Sequence, residues 1–221
     1  MTTHVRENGA LLATLEKRLL IRLAEAMPRA VNSDHLTVLA LAAMALTGAG
    51  FLLSRWDVRA LWLVILGLAL NWFGDSLDGT LARVRRAERP RYGFYVDHVL
   101  DLAGTTLLLG GLACSPFMSP VIALLILVGY LLAAGEVFLA TAVRGVFRMS
   151  FAGVGPTELR LLLATGTLAL FRDPHVALGP FGPVRLFDFG GVIASAGLFA
   201  AAIYSTVRNT AALAEAEPPR Q

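Results

Sequence analysis

Six long apolar stretches dominate the chain, at 35–54, 58–82, 94–114, 119–143, 158–171 and 187–207. Most approach the roughly 20 residues that carry a helix across a hydrocarbon layer of about 30 Å; the fifth is the shortest. In lipid, a helix satisfies its own backbone hydrogen bonds, so each stretch reads as a helix. The expectation is an all-α integral membrane protein with six transmembrane helices. Of the 221 residues, 56% are hydrophobic and only 16% are charged. Soluble domains carry about 25% charged residues, so neither a soluble globular chain nor a disordered one fits. The single cysteine, Cys114, excludes an internal disulfide framework and a multi-cysteine metal site.

Arginine and lysine set the orientation. With the N-terminus in the cytoplasm, fifteen of these residues fall on the cytoplasmic side and four, Arg55, Arg59, Arg172 and Arg185, on the other. The opposite topology inverts that split. The basic loops are then a topology signal and a contact for lipid headgroups, and no nucleic-acid partner is expected. The location implied is the inner, cytoplasmic membrane, crossed several times. A charged N-terminus without an early apolar core predicts no cleavable signal peptide.

Residues 8–28 show a different pattern. Leu12, Leu15, Leu19, Leu23 and Met27 recur every three or four residues, while Glu16, Lys17, Arg18 and Glu25 interrupt the other side. This predicts an amphipathic helix lying on the cytoplasmic leaflet, with a soluble cap helix as the alternative. The resulting division is a cytoplasmic N-terminus over 1–33, a six-helix transmembrane domain over 34–209 and a disordered tail over 210–221. The proline-rich loop 172–185 is assigned no chemistry.

Acidic residues inside the apolar spans carry the functional information. Asp75 and Asp78 are three residues apart near the end of the second span; Asp97 and Asp101 are four apart at the start of the third. Each pair shares one helix face. The two helices are consecutive and antiparallel, so both pairs lie near the same membrane surface and can face each other. An aspartate at mid-helix costs roughly 2.5–3.5 kcal/mol, so four cost on the order of 10 kcal/mol before their mutual repulsion. Arg83 supplies one positive charge; two divalent cations would match all four carboxylates. An all-oxygen ligand set favours a hard ion, magnesium or manganese, with calcium also compatible. Such a cluster suits phosphate chemistry, yet acids in a membrane also mark proton or ion pathways.

Together these residues read Asp75-x2-Asp78-Gly79-x2-Ala82-Arg83-x9-Gly93-x3-Asp97-x3-Asp101. The pattern resembles the signature of the CDP-alcohol phosphotransferase family. The resemblance implies a membrane enzyme in which an acceptor hydroxyl attacks a phosphorus of a CDP-linked donor and CMP leaves. In many bacterial members the donor is CDP-diacylglycerol and the product a phospholipid. It also implies that Asp75, Asp78 and Asp97 hold two metal ions, and that Asp101 completes the cluster and acts as general base. Gly79, Ala82 and Arg83 would contact the CDP moiety, and Gly93 would leave room for it. The stretch Asp34-His35-Leu36-Thr37 looks like the family's other nucleotide-contacting segment, with Ser33 where a proline is usual. A homodimer is implied as well.

The acceptor side is less constrained. Arg144, Arg148 and Arg160 fall on the same side as the aspartates. They can clamp an acceptor phosphate or simply be positive-inside charge. Glu158, in Gly155-Pro156-Thr157-Glu158, belongs to a stretch similar to the aminoalcohol branch, where a CDP-linked headgroup passes to diacylglycerol. Glu136 is either a contact for a cationic headgroup or a paired packing residue. Two rival readings remain: an intramembrane prenyltransferase, whose aspartate motifs lie further apart, and an ion or proton transporter, which leaves Gly79, Ala82 and Arg83 unexplained.

Overall fold

The computed structural model describes residues 13–145, 155–179 and 182–218. Its helices are α1 (Ala13–Ala26), α2 (Ser33–Leu53), α3 (Leu61–Val84), α4 (Pro90–Ala113), α5 (Pro120–Arg144), α6 (Pro156–Leu170) and α7 (Leu186–Ala216). Local sequence explains several boundaries. Asn32 caps α2 by accepting the His35 N–H at 2.9 Å. Pro90, Pro120 and Pro156 occupy the first helical position of α4, α5 and α6, where a missing N–H costs nothing. Gly145 closes α5 in the left-handed conformation, at φ 68°.

Five segments among the described residues are long and apolar enough to cross a membrane: 33–53, 58–84, 90–113, 120–144 and 186–216. The chain is a multi-pass membrane protein. The fifth expected stretch forms α6, whose 15 residues rise only about 22 Å at 1.5 Å per residue. Outward-facing Val38, Trp62, Leu124, Leu139, Leu162, Ile193 and Ile203 are exposed, as a lipid-facing surface requires.

Two parts differ from expectation. The segment 210–216, expected in a disordered tail, continues α7 to Ala216. Ala211, Ala212, Leu213, Ala214, Glu215 and Ala216 are strong helix formers, and Pro218 cannot continue the helix. The loop 172–185 contains a short antiparallel hairpin, His175–Ala177 against Pro183–Arg185, with Val176 opposite Val184. The Leu12 end of the amphipathic segment and the last residues, 219–221, lie outside the described residues.

Helix α2 packs against both α3 and α4, α5 against α4 and α7, and α6 against α3 and α7. Small residues set the first of these contacts. A Cβ on Gly111 of α4 would lie 2.0 Å from the Gly48 carbonyl oxygen of α2, so the two backbones touch. Gly67 and Gly74 of α3 also bring that helix close to α2, where a Cβ would lie 2.8 Å from the Ala43 carbonyl oxygen and 2.9 Å from the Ala40 nitrogen. Two apolar clusters fill the interior. The larger includes Phe51, Leu61, Val64, Leu108, Leu112 and Phe187, with Phe51 and Phe187 edge to face at 5.8 Å. The smaller gathers Leu20 and Ala24 of α1 with Leu36, Leu77 and Leu81, beneath the acidic end of α3.

Candidate active site

The site forms where α3 ends and α4 begins. Of the four acids expected to face one another, three converge: single carboxylate oxygens from Asp75, Asp97 and Asp101 all lie within 4.8 Å of one another, and Asp78 is not among them. Metal–oxygen bonds of about 2.0–2.6 Å place two ligands of one ion no more than about 4–5 Å apart, so this cluster fits a hard cation. The donors are all oxygen and half-buried.

Asp78 sits one turn from Asp75 and is held differently. Its carboxylate accepts the Thr37 hydroxyl at 2.7 Å and the Gly79 N–H at 2.5 Å. The Asp78 carbonyl accepts the Ser33 hydroxyl at 2.9 Å. Ser33 thereby ties the start of α2 to the acidic motif. Thr37, expected at the nucleotide, joins the same group. Asp34, its other expected nucleotide contact, is ion-paired with Arg89 at the surface. Arg89 lies over the Tyr92 ring at 4.0 Å, and its hydrogen bond to Asp34 raises its pKa above the usual value.

The two glycines of the motif face space. No atom lies within 4 Å of a Cβ built on Gly93, and one built on Gly79 meets only the Arg83 guanidinium, at 3.4 Å. Arg83 donates to Thr80 Oγ1 at 3.1 Å and is otherwise exposed. Ala82 is half-buried on the same stretch. Among the described residues, a flat or phosphorylated group approaching the α3 and α4 backbones here would meet only the flexible end of Arg83.

The residues expected at an acceptor separate into two groups. Arg160 of α6 reaches the acidic cluster: its guanidinium ion-pairs with Asp75 and its Nε donates to Asn71 Oδ1 at 2.7 Å. Asn71 in turn donates to the Ala40 carbonyl at 3.0 Å. A half-buried guanidinium among half-buried carboxylates offsets part of their negative charge. Glu136 and Arg144, by contrast, join α5 to α7. Glu136 accepts Ser205 Oγ at 2.6 Å and Asn209 Nδ2 at 2.5 Å, and Arg144 donates to Asn209 Oδ1. Of the two roles open to Glu136, the structure displays the packing one. Glu158 accepts the Gly155 N–H at 3.0 Å and so caps its own helix. Arg148 lies outside the described residues.

Sequence reasoning gave two contributors no place in this site, although Asn71-x3-Asp75 has a passing likeness to a prenyltransferase motif. Asn71 precedes Asp75 by four residues, a spacing that places both on one helix face and was the available signal. Arg85 donates to the carbonyls of Met27, Pro28 and Val31, fixing the α1–α2 connection against the end of α3. No local pattern marks Arg85 apart from the other arginines of that loop.

Comparison with known proteins follows the same lines. No curated protein sequence matches the chain at a significant level. A solved structure similar to this one is the phosphatidylinositol phosphate synthase PgsA1 of Mycobacterium tuberculosis, determined with CDP-DAG bound. The two share 19% identity at a TM-score of 0.54, over 89% of this chain and 92% of that one. At that identity the likeness speaks for the fold. The model of the CDP-alcohol phosphatidyltransferase family matches residues 31–206, which include α2, the acidic motif of α3 and α4, and most of α7. The chain therefore belongs to the CDP-alcohol phosphatidyltransferase family and is a phosphotransferase of phospholipid synthesis.

Proposed function

We propose that the enzyme transfers a phosphatidyl group from CDP-diacylglycerol to the hydroxyl of an alcohol, releasing CMP. The observation that carries this reading is the convergence of Asp75, Asp97 and Asp101 beside the open backbone at Gly79 and Gly93. Asp75, Asp78, Asp97 and Asp101 would hold two divalent cations, magnesium or manganese. Bound there, the ions supply charge neutralisation for a diphosphate and its leaving group.

The chain's own groups do the rest. Gly79, Ala82, Arg83 and Gly93 receive the CDP moiety, with Asp34 and Thr37 at its edge. Asp101 accepts the proton of the acceptor hydroxyl as its oxygen bonds to the phosphatidyl phosphorus. The bond from that phosphorus to the oxygen of CMP breaks in the same displacement. Arg160 is the acceptor-side cation, because it already reaches the cluster. Glu136, Arg144 and Glu158 have partners within the fold, and so are weaker candidates for the acceptor.

In the same reading α6 is a sixth crossing, supported by exposed Leu159, Leu161, Leu162 and Leu168 along its length. Helix α1 lies on the cytoplasmic leaflet, and the acidic end of α3 faces the cytoplasm of the inner membrane by the arginine distribution. The homodimer rests on family resemblance.

The test is direct. Purified protein is given CDP-diacylglycerol with a panel of alcohols, and separately CDP-choline or CDP-ethanolamine with diacylglycerol, each with and without EDTA. Metal-dependent CMP release in the first arm is expected. Release only in the second arm would assign the enzyme to the aminoalcohol branch. Turnover that survives complete removal of divalent ions would overturn the metal assignment.

A further inference from the structure

Glu16 lies on α1, far in sequence from the acidic motif, and its contacts single it out. One of its oxygens, Oε1, accepts the Trp72 indole N–H at 2.8 Å and the Thr157 hydroxyl at 2.9 Å. Those donors come from α3 and α6, the two helices joined by the Asp75–Arg160 ion pair. Trp72 is three residues before Asp75, and Thr157 three before Arg160. On a helix, positions three apart are neighbours on one face. A single carboxylate therefore fixes both helices one turn from the pair. The body of α1 is itself anchored, since Leu20 and Ala24 are buried against Leu36, Leu77 and Leu81.

We propose that Glu16 is a positioning residue for the active site: by binding Trp72 and Thr157 together it sets α6 against α3, so that Arg160 stays on Asp75. The proposal rests on the reading of the acidic cluster as an ion site. It makes the surface helix α1 a working part of that site as well as its cover. A guanidinium held on Asp75 competes with an incoming cation for the same carboxylate. Weakening the hold on α6 should therefore make the cluster bind a divalent ion more tightly. Simple loss of the Glu16 charge predicts the opposite sign, because it leaves the region more positive.

The experiment titrates Mn2+ alone into the full chain in detergent micelles by calorimetry. Arg160→Ala should tighten binding roughly three- to tenfold, and Glu16→Ala and Thr157→Val should each tighten it in the same direction, within the range typical of coupled neighbours. Glu16→Gln keeps an oxygen that accepts both hydrogen bonds and should bind Mn2+ like the unaltered chain. In an Arg160→Ala background, Glu16→Ala should change nothing further. Unchanged or weaker binding in Glu16→Ala, failure of Glu16→Gln to restore affinity, or additive effects of the two alanines would each overturn the proposal. If Glu16→Ala does not fold, Thr157→Val carries the same comparison. An unaltered chain that binds no Mn2+ removes the ion reading of the cluster. The coupling of Glu16 to Arg160 is then read from thermal unfolding, where non-additivity supports the proposal and additivity overturns it.

Discussion

Gly74 and Gly79 lie five residues apart on one helix and do opposite work. A Cβ on Gly74 would stand 2.6 Å from the Leu36 carbonyl oxygen of α2, whereas one on Gly79 meets only a guanidinium end at 3.4 Å. The interior stretch of α3 uses glycine to bring backbones into contact; the stretch beside the acids uses it to leave space. The same contrast separates Gly111 from Gly93 on α4. Stability and function thus draw on one residue type in neighbouring turns. Which role a glycine plays depends on the helix opposite.

Substitutions at the two kinds of position should separate cleanly. The largest effect is expected at the acids. Asp101→Asn should lower CMP release by about 10²–10⁴-fold, the usual worth of a general base, while the unfolding temperature stays close to that of the unaltered chain. Wild-type-like turnover would remove Asp101 from that role. Gly111→Ala should do the reverse. It forces a methyl group onto the Gly48 backbone and should cost about 1–3 kcal/mol of stability, read as an earlier thermal transition in detergent. A transition at the original temperature would mean that α2 and α4 separate without cost.

Gly79→Ala sharpens the contrast further. The fold should be kept or gain about 0.5–1 kcal/mol from better helix propensity, while CDP-donor affinity falls several-fold in a binding assay. Unchanged affinity would place the donor elsewhere. The smallest effect belongs to Glu136→Gln, which can keep an oxygen for one of its two donors, Ser205 and Asn209. Turnover should move less than about threefold, with stability within roughly 1 kcal/mol. A large rise in acceptor KM would instead return Glu136 to the acceptor side.

Much of this architecture was readable one segment at a time. Asp75 with Asp78, and Asp97 with Asp101, declare a shared face by spacing, and the loop between them is short enough to dictate an antiparallel pair. What spacing does not carry is the choice of partner across the bundle. Thr157 is 141 residues from Glu16, and Arg160 is 85 from Asp75. These contacts depend on how α6 leans on α3, which no local period encodes. Arg160 was legible as a cation on the correct side and not as the counter-charge of a particular acid. The end of α7 was misread for a different reason. Positions 210–216 hold too few bulky apolar residues to register as a span, although their alanines favour helix regardless.

The pairing of Asp75 with Arg160 has a consequence for how the chain is made. The acids of α3 and α4 leave the ribosome well before the arginine that answers one of them, which arrives only with α6. Until then the nascent protein carries Asp75 without the arginine that pairs with it. The pocket can be completed only when the penultimate helix docks, so a chain truncated after α5 should be a poor substrate for membrane integration and a ready one for quality-control proteolysis.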